Sequence, residues 1–271
     1  GHIVDRDGEG CAGRVLVTHL LDGVQHLSTL SRAVLLDTEV DDLTKLAYLK
    51  HLEIAGHTLD SLRFLSSLNE LEELTLSKCR FQSDELSVIA ALPNLKKLTI
   101  SDCGLSTVAG LERAQNLEYL NLSNNTIRNL EPLSNLMKLQ EIDLQHNALT
   151  SLNALSVLSN LRALDVSYNS LTSIAPIATC TKLNRLNVNN NELGNLGALD
   201  NLPALTYLAA SNNALTDIAL LAGNTALVEL YLANNEIENI TDLASLTNLE
   251  IFDFSGNKVV DLPAWPDQSK L

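Results

Sequence analysis

Residues 117–125 read Leu117-Glu118-Tyr119-Leu120-Asn121-Leu122-Ser123-Asn124-Asn125, and this frame, LxxLxLxxN, decides the fold. Leu120 and Leu122 alternate with polar residues at the period of two that a half-buried strand requires. The frame returns as Leu139, Ile142, Leu144 and Asn147, and again with Val166 and Asn169, Val188 and Asn191, Leu232 and Asn235, Phe254 and Asn257. Its first leucine recurs every 22 residues, at Leu95, Leu117, Leu139, Leu161, Leu183, Leu205, Leu227 and Leu249, with Leu49 and Leu71 extending the series N-terminally. A fixed period of this length marks a chain wound into stacked coils, each touching only its neighbours. Strands of successive coils then stack in parallel, about 4.8 Å apart.

The recurring asparagine stands where the chain leaves the strand by a tight bend whose buried backbone groups need partners. An Asn side chain, donor and acceptor together, is suited to bond the backbone of its own and adjacent coils. Cys79 and Cys103 occupy this position in neighbouring coils. They read as small buried thiols substituting in the ladder, with a disulfide or redox role as the alternative. After the bend, apolar residues recur every third position, as in Ile127, Leu130, Leu133 and Leu136 or Ile237, Ile240, Leu243 and Leu246. That spacing fits a 3₁₀-like return along a convex back.

Two coils break the rhythm. Leu71 and Leu95 are 24 residues apart, and the extra length near Phe81 to Leu86 predicts a short helix capped by Ser83 or Asp84 and carrying Leu86, Ile89 and Ala90. Upstream, Thr38, Val40, Leu43 and Leu46 imitate an abbreviated return, and the segment from Ala33 to Leu36 reads as the strand of a degenerate first coil. Leu16, Leu20, Val24 and Leu27 fall at helical spacing, which predicts an amphipathic helix laid over the open end of the stack. The predicted organisation is a flexible tail over 1–13 opening on a tag-like Gly1-His2, a helical cap over 14–30, and a solenoid over 31–271 with one degenerate and about ten clear repeats. Pro263, Trp265 and Pro266 interrupt the last return, which favours a chain cut inside a longer protein.

Composition agrees with a thin aliphatic stack: 45% of residues are hydrophobic but only 4% aromatic. A formal charge of −15 makes nucleic acid and anionic lipid poor partners, since both are bound through basic patches. No apolar run is long enough to span a membrane. The four cysteines, Cys11, Cys79, Cys103 and Cys180, show neither a CxxC pair nor zinc-ligand spacing, and their scatter points to a reducing, cytoplasmic setting.

These units resemble leucine-rich repeats of the 22-residue kind, similar to those of SDS22-like proteins and internalins, over about residues 30 to 262. The resemblance implies an α/β fold: a right-handed solenoid with a parallel concave β-sheet, 3₁₀ or irregular convex returns, and recognition of other proteins through the concave face. It implies no catalytic residue and no cofactor. SDS22-like members associate with a phosphatase or with cytoskeletal machinery, and internalins bind host receptors. His57 at the Asn position, Ala210 at an inward strand position and Asn224 in an apolar return slot depart from the frame.

The third, fifth and seventh positions of the frame point out of the sheet, so the sequence reads as columns across neighbouring strands. The third column includes Tyr119, Glu141, Ala163, Arg185, Tyr207, Glu229 and Ile251; the fifth includes Asn121, Asp143, Asp165, Asn187, Ala209, Tyr231 and Asp253. Asp143 and Asp165 fall opposite one another with Glu141 beside them, a like-charge arrangement costing on the order of 1 kcal/mol that a fold does not need. Arg162 and Arg185 are candidates to neutralise part of it, which would leave a solvated charge mosaic. The sharper expectation is an anchoring spot for Lys or Arg on a basic patch of a partner protein. Tyr207 and Tyr231 lie on neighbouring strands, and Tyr119 and Tyr168 flank the acidic group. Tyrosine suits strands but also interfaces. The expected protein-binding residues are therefore Tyr119, Glu141, Asp143, Asp165, Tyr168, Arg185, Tyr207, Glu229, Tyr231 and Asp253.

No Gly-rich phosphate loop, HExxH or GxSxG occurs, and the six histidines form no Cys/His constellation. The expected function is a non-catalytic interaction module in a scaffold or cytoskeleton-associated protein. A phosphatase regulatory subunit and an extracellular internalin-like adhesin are the alternatives.

Overall fold

The computed structural model describes residues 14–17, 32–36 and 47–260. Twelve strands form one parallel sheet in strict sequence order among those residues. They are β1 (Arg14–Val17), β2 (Arg32–Leu36), β3 (His51–Ala55), β4 (Glu73–Ser77), β5 (Lys97–Ser101) and β6 (Tyr119–Asn121), followed by β7 (Glu141–Asp143), β8 (Ala163–Asp165), β9 (Arg185–Asn187), β10 (Tyr207–Ala209), β11 (Glu229–Tyr231) and β12 (Ile251–Asp253). Sequence order equals spatial order because each coil can bury its apolar side only against the next. Equivalent positions pair, as in Leu120 with Ile142 and Leu164 with Leu186.

Within a coil, Leu117, Leu120, Leu122, Ile127, Leu130, Leu133 and Leu136 are all buried. Full burial stabilises each such side chain by roughly 1.5–3 kcal/mol, so the leucine frame is the main cohesive force of the stack. The returns wind as short 3₁₀ segments, among them Glu131–Leu133, Asn153–Val157, Ala175–Thr179 and Thr241–Ser245, as the spacing of three predicts. The longer coil carries the predicted helix, α1 (Leu86–Ala90), with Leu86, Ile89 and Ala90 buried. Ser83–Glu85 forms a 3₁₀ lead-in, and no side-chain cap bond starts α1. Glu85 instead accepts hydrogen bonds from the Leu62 amide and the Ser61 hydroxyl of the preceding coil.

The asparagine ladder joins coil to coil. Asn191 Nδ2 donates to the carbonyls of Val166 (3.0 Å), Val188 (3.1 Å) and Asn189 (3.2 Å), and its Oδ1 accepts the Leu171 amide at 3.0 Å. Cys79 and Cys103 keep the donor half, without the Asn oxygen that accepts an amide of the preceding coil: their thiols donate to the carbonyls of Ile54 and Ser77, and of Leu76 and Ser101. In the Cys79 coil the missing acceptor is supplied elsewhere, since the Leu59 amide donates to the Arg80 carbonyl at 2.7 Å. Both cysteines are buried and free. A hydrogen bond to Cys79, together with burial, holds the Cys103 thiol above its usual range. His57, at the same position, bonds the Ala55 carbonyl through Nδ1 at 2.7 Å.

The residue before the ladder position is left-handed in coil after coil: Gly56, Lys78, Asp102, Asn124, His146, Tyr168, Asn190, Asn212, Asn234 and Gly256 all have positive φ. This residue turns the chain out of the strand. Asn and Gly suit it because they tolerate that region at little cost.

One expectation fails at the N-terminus. Arg14–Val17 is not the first turn of a cap helix but a strand, pairing in parallel with β2 from Arg14↔Arg32 to Val17↔Leu35. The edge of β2 offers unpaired backbone donors and acceptors that a further strand satisfies, and Val15 and Val17 are β-branched. The rest of the predicted cap, the abbreviated return at Thr38 to Leu46 and the segment with Pro263 and Trp265 lie outside the described residues.

Candidate protein-binding site

Across β6 to β10 the third column runs Tyr119, Glu141, Ala163, Arg185 and Tyr207. Small Ala163 stands between larger side chains, and this leaves a shallow depression of about 190 Å³ on the inner sheet. Tyr119, Glu141, Asp143, Asp165, Asn187, Arg185 and Tyr207 line it.

Asp143 and Asp165 are register partners on β7 and β8, as the frame requires. Each carboxylate is fixed by its own bend and by an amide on its outer side. Asp143 accepts from the Gln145 backbone (3.0 Å), from Gln145 Nε2 (3.1 Å) and from Asn121 Nδ2 (3.2 Å). Asp165 accepts from the Ser167 backbone (2.9 Å), from Ser167 Oγ (2.6 Å) and from Asn187 Nδ2 (2.8 Å). Partial burial pushes the Asp143 carboxyl up, the Gln145 hydrogen bonds oppose this, and the Asp165 charge adds to it.

Neither expected arginine neutralises the pair. Arg162 lines a separate hollow with Glu118, Lys138, Gln140 and Asn160. Arg185 lies over the Tyr207 ring, Cζ 4.2 Å from its centroid. No ion pair joins either arginine to Asp143 or Asp165 among the described residues.

The remaining expected residues extend the surface rather than line the depression. Tyr231 lies beside Tyr207, ring centroids 5.7 Å apart, and its hydroxyl donates to Glu229 at 2.9 Å. That bond raises the Tyr231 hydroxyl above its ordinary range, while burial raises that of Tyr207 and Arg185 opposes it. Asp253 sits at the end of β12, bonded to the Ser255 amide. Tyr168 stands at the left-handed bend position, half-exposed, stacked on His146 with centroids 4.0 Å apart. Asn121, Asn187 and Ala163 stand in the sequence columns but are not among the expected binding residues. The signal was present as the fifth-column run Asn121, Asp143, Asp165, Asn187, two carboxylates flanked by amides.

A family model described as Leucine Rich repeats (2 copies) matches residues 115–157, 159–202, 203–245 and 225–267. The chain belongs to the leucine-rich repeat family. Internalin C2 of Listeria monocytogenes is 31% identical over 67% of this chain and 77% of that chain, with a TM-score of 0.61. An internalin, inlF, of the same organism shares the fold at 23% identity, over 92% of this chain and 82% of that chain, with a TM-score of 0.72. A leucine-rich repeat protein of Leptospira interrogans, LIC12759, shares it at 21% identity, over 90% and 71% of the two chains, with a TM-score of 0.76. No curated protein sequence matches the chain. Leucine-rich repeats commonly serve as protein interaction modules and are generally not enzymes. Among the described residues, no helix is long and apolar enough to cross a membrane.

Proposed function

We propose that this chain is a protein-recognition module that receives a Lys or Arg side chain of its partner in the inner-face depression, against Asp143 and Asp165. The observation that carries this reading is the paired carboxylates themselves: they stand in register, and no cation of the described chain bonds them. Like charges on adjacent strands oppose folding, and an incoming cation reverses the sign of that term. Tyr119 and Tyr207 supply flanking aromatic contact. The net charge of −15 favours encounter with a basic protein surface. Buried free thiols at Cys79, Cys103 and Cys180 are consistent with a reducing, cytoplasmic setting, where the module would serve a scaffold or cytoskeleton-associated protein. The identity with internalin C2 supports a second reading, an extracellular internalin-like recognition module.

A phage-displayed random peptide library selected in parallel on the wild-type chain and on Asp143→Asn/Asp165→Asn tests the reading. Enrichment of Lys- or Arg-bearing peptides on wild type, lost on the double variant, is expected. Selection indifferent to the two substitutions places binding elsewhere and ends the proposal.

A further inference from the structure

Arg185 is the one cationic side chain among the residues lining the depression, and the acidic pair leaves it unused. Arg185 is exposed at the third position of β9, and among the described residues its guanidinium takes part in no hydrogen bond or ion pair. Its contact is with the face of Tyr207. In a chain with 33 carboxylate residues against 18 Lys and Arg, bulk electrostatics favour a guanidinium that finds a carboxylate. Asp165 on the adjacent strand is bonded instead to Ser167 and Asn187, Glu229 two strands away across Tyr207 is bonded to the Tyr231 hydroxyl, and Glu141 lies two strands away across Ala163.

A guanidinium stacked by its face on a ring keeps its N–H donors at the edge, in a planar fork that matches a carboxylate. The stacking also limits rotamer freedom before any ligand arrives, so less is lost on binding. Arg185 and the acidic pair line the same depression, and Asp165 lies one strand over from Arg185 with a two-residue offset. Strand spacing and rise put their Cα atoms roughly 8 Å apart. Side chains two residues apart on an extended peptide lie on one face, separated by about 7 Å.

We infer that Arg185, preset by Tyr207, is a carboxylate-binding element, so that the recognised segment carries an Asp or Glu two residues from its Lys or Arg. This rests on the reading of the acidic pair given above, and it narrows the partner from any basic surface to one with both charges at a set spacing.

The test extends the same random-peptide selection to Arg185→Gln and to Tyr207→Leu, each checked for an unchanged circular dichroism spectrum. Wild-type selection is expected to enrich basic and acidic residues at that spacing. Arg185→Gln should keep the basic residue and lose preference for the acidic one by about tenfold or more, and Tyr207→Leu should weaken it less. An acidic preference that survives Arg185→Gln, or peptides with a basic residue and no acidic one, overturns this inference while the acidic-pair reading stands. Acidic enrichment dependent on Arg185 without any basic residue overturns that reading and keeps Arg185 as a carboxylate site. Absence of enrichment on wild type overturns both.

Discussion

Replacing Asn191 by Ala tests whether the ladder, beyond the leucine frame, holds coils together. The substitution removes three donated bonds and one accepted bond, but their loss is unequal. The Val166 carbonyl still accepts from Asn169 Nδ2 at 3.0 Å, and the Val188 carbonyl from Asn213 Nδ2 at 3.0 Å. The Leu171 amide, by contrast, has only Asn191 Oδ1, and Leu171 is buried. An orphaned buried amide costs about 1–3 kcal/mol, and the weakened carbonyls add about 1 kcal/mol, so a loss of about 2–4 kcal/mol is expected. Asn191→Cys should fall between Ala and wild type, because a thiol restores the donor and not the acceptor. Urea unfolding of the three proteins gives the stabilities, and hydrogen exchange at Leu171 locates the lesion. A loss under about 1 kcal/mol for Ala, a Leu171 amide that remains as protected as before, or a Cys variant as stable as wild type would refute the reasoning.

Asn224→Leu should stabilise the chain by about 1–2 kcal/mol in thermal or urea unfolding. Asn224 is buried in a column of leucines with Oδ1 unpaired, and the Leu199 and Leu202 carbonyls it bonds keep the amides of Leu202 and Leu205; a destabilised variant would show the amide bonds to outweigh that orphan. The Asp143 carboxyl should titrate above the ordinary carboxylate range by NMR, and only part of that elevation should vanish in Asp165→Asn, because burial is the larger cause. A raised folded-state value means that the folded chain binds the proton more tightly than the unfolded one. Stability therefore rises as pH falls through that value toward the ordinary range. Complete return to the ordinary range in Asp165→Asn would reverse the ranking of causes.

The legible part of the fold is the part repeated often enough to average out exceptions. Burial of Leu117, Leu120, Leu122 and their equivalents is a demand every coil makes, so the demand appears as a period. At the N-terminus no such averaging operates. Leu16, Leu20, Val24 and Leu27 match a helix, yet Arg14–Val17 pairs with β2, because a short apolar run takes its structure from what lies beside it. The left-handed column was visible in Gly56, Asn124, Asn190, Asn212, Asn234 and Gly256 and hidden by Lys78, His146 and Tyr168. In the site, register followed from the period, which put Asp143 opposite Asp165. The stacking of Arg185 on Tyr207 did not follow, because it depends on side-chain conformation, which the period does not set.

Tyr168 separates the demands of the fold from those of the surface. The bend requires a left-handed residue, which costs an ordinary L-residue about 1–2 kcal/mol and suits Gly or Asn better. The same bend is made with Asn124, Asn190, Asn212 and Asn234 elsewhere in the stack. A bulky aromatic at φ 56°, half-exposed, therefore contributes nothing to the bend that its neighbours do not achieve more cheaply. Part of the cost is offset by stacking on His146, itself left-handed at φ 52°, since an aromatic contact of this kind is worth about 0.5–1.5 kcal/mol. With two left-handed residues at about 1–2 kcal/mol each against one ring contact, the pair remains net unfavourable for stability. What the exchange of Asn for His146 and Tyr168 changes is the surface: one rim of the inner sheet, next to Asp143 and Asp165, presents stacked rings where Asn124, Asn190, Asn212 and Asn234 present short amides.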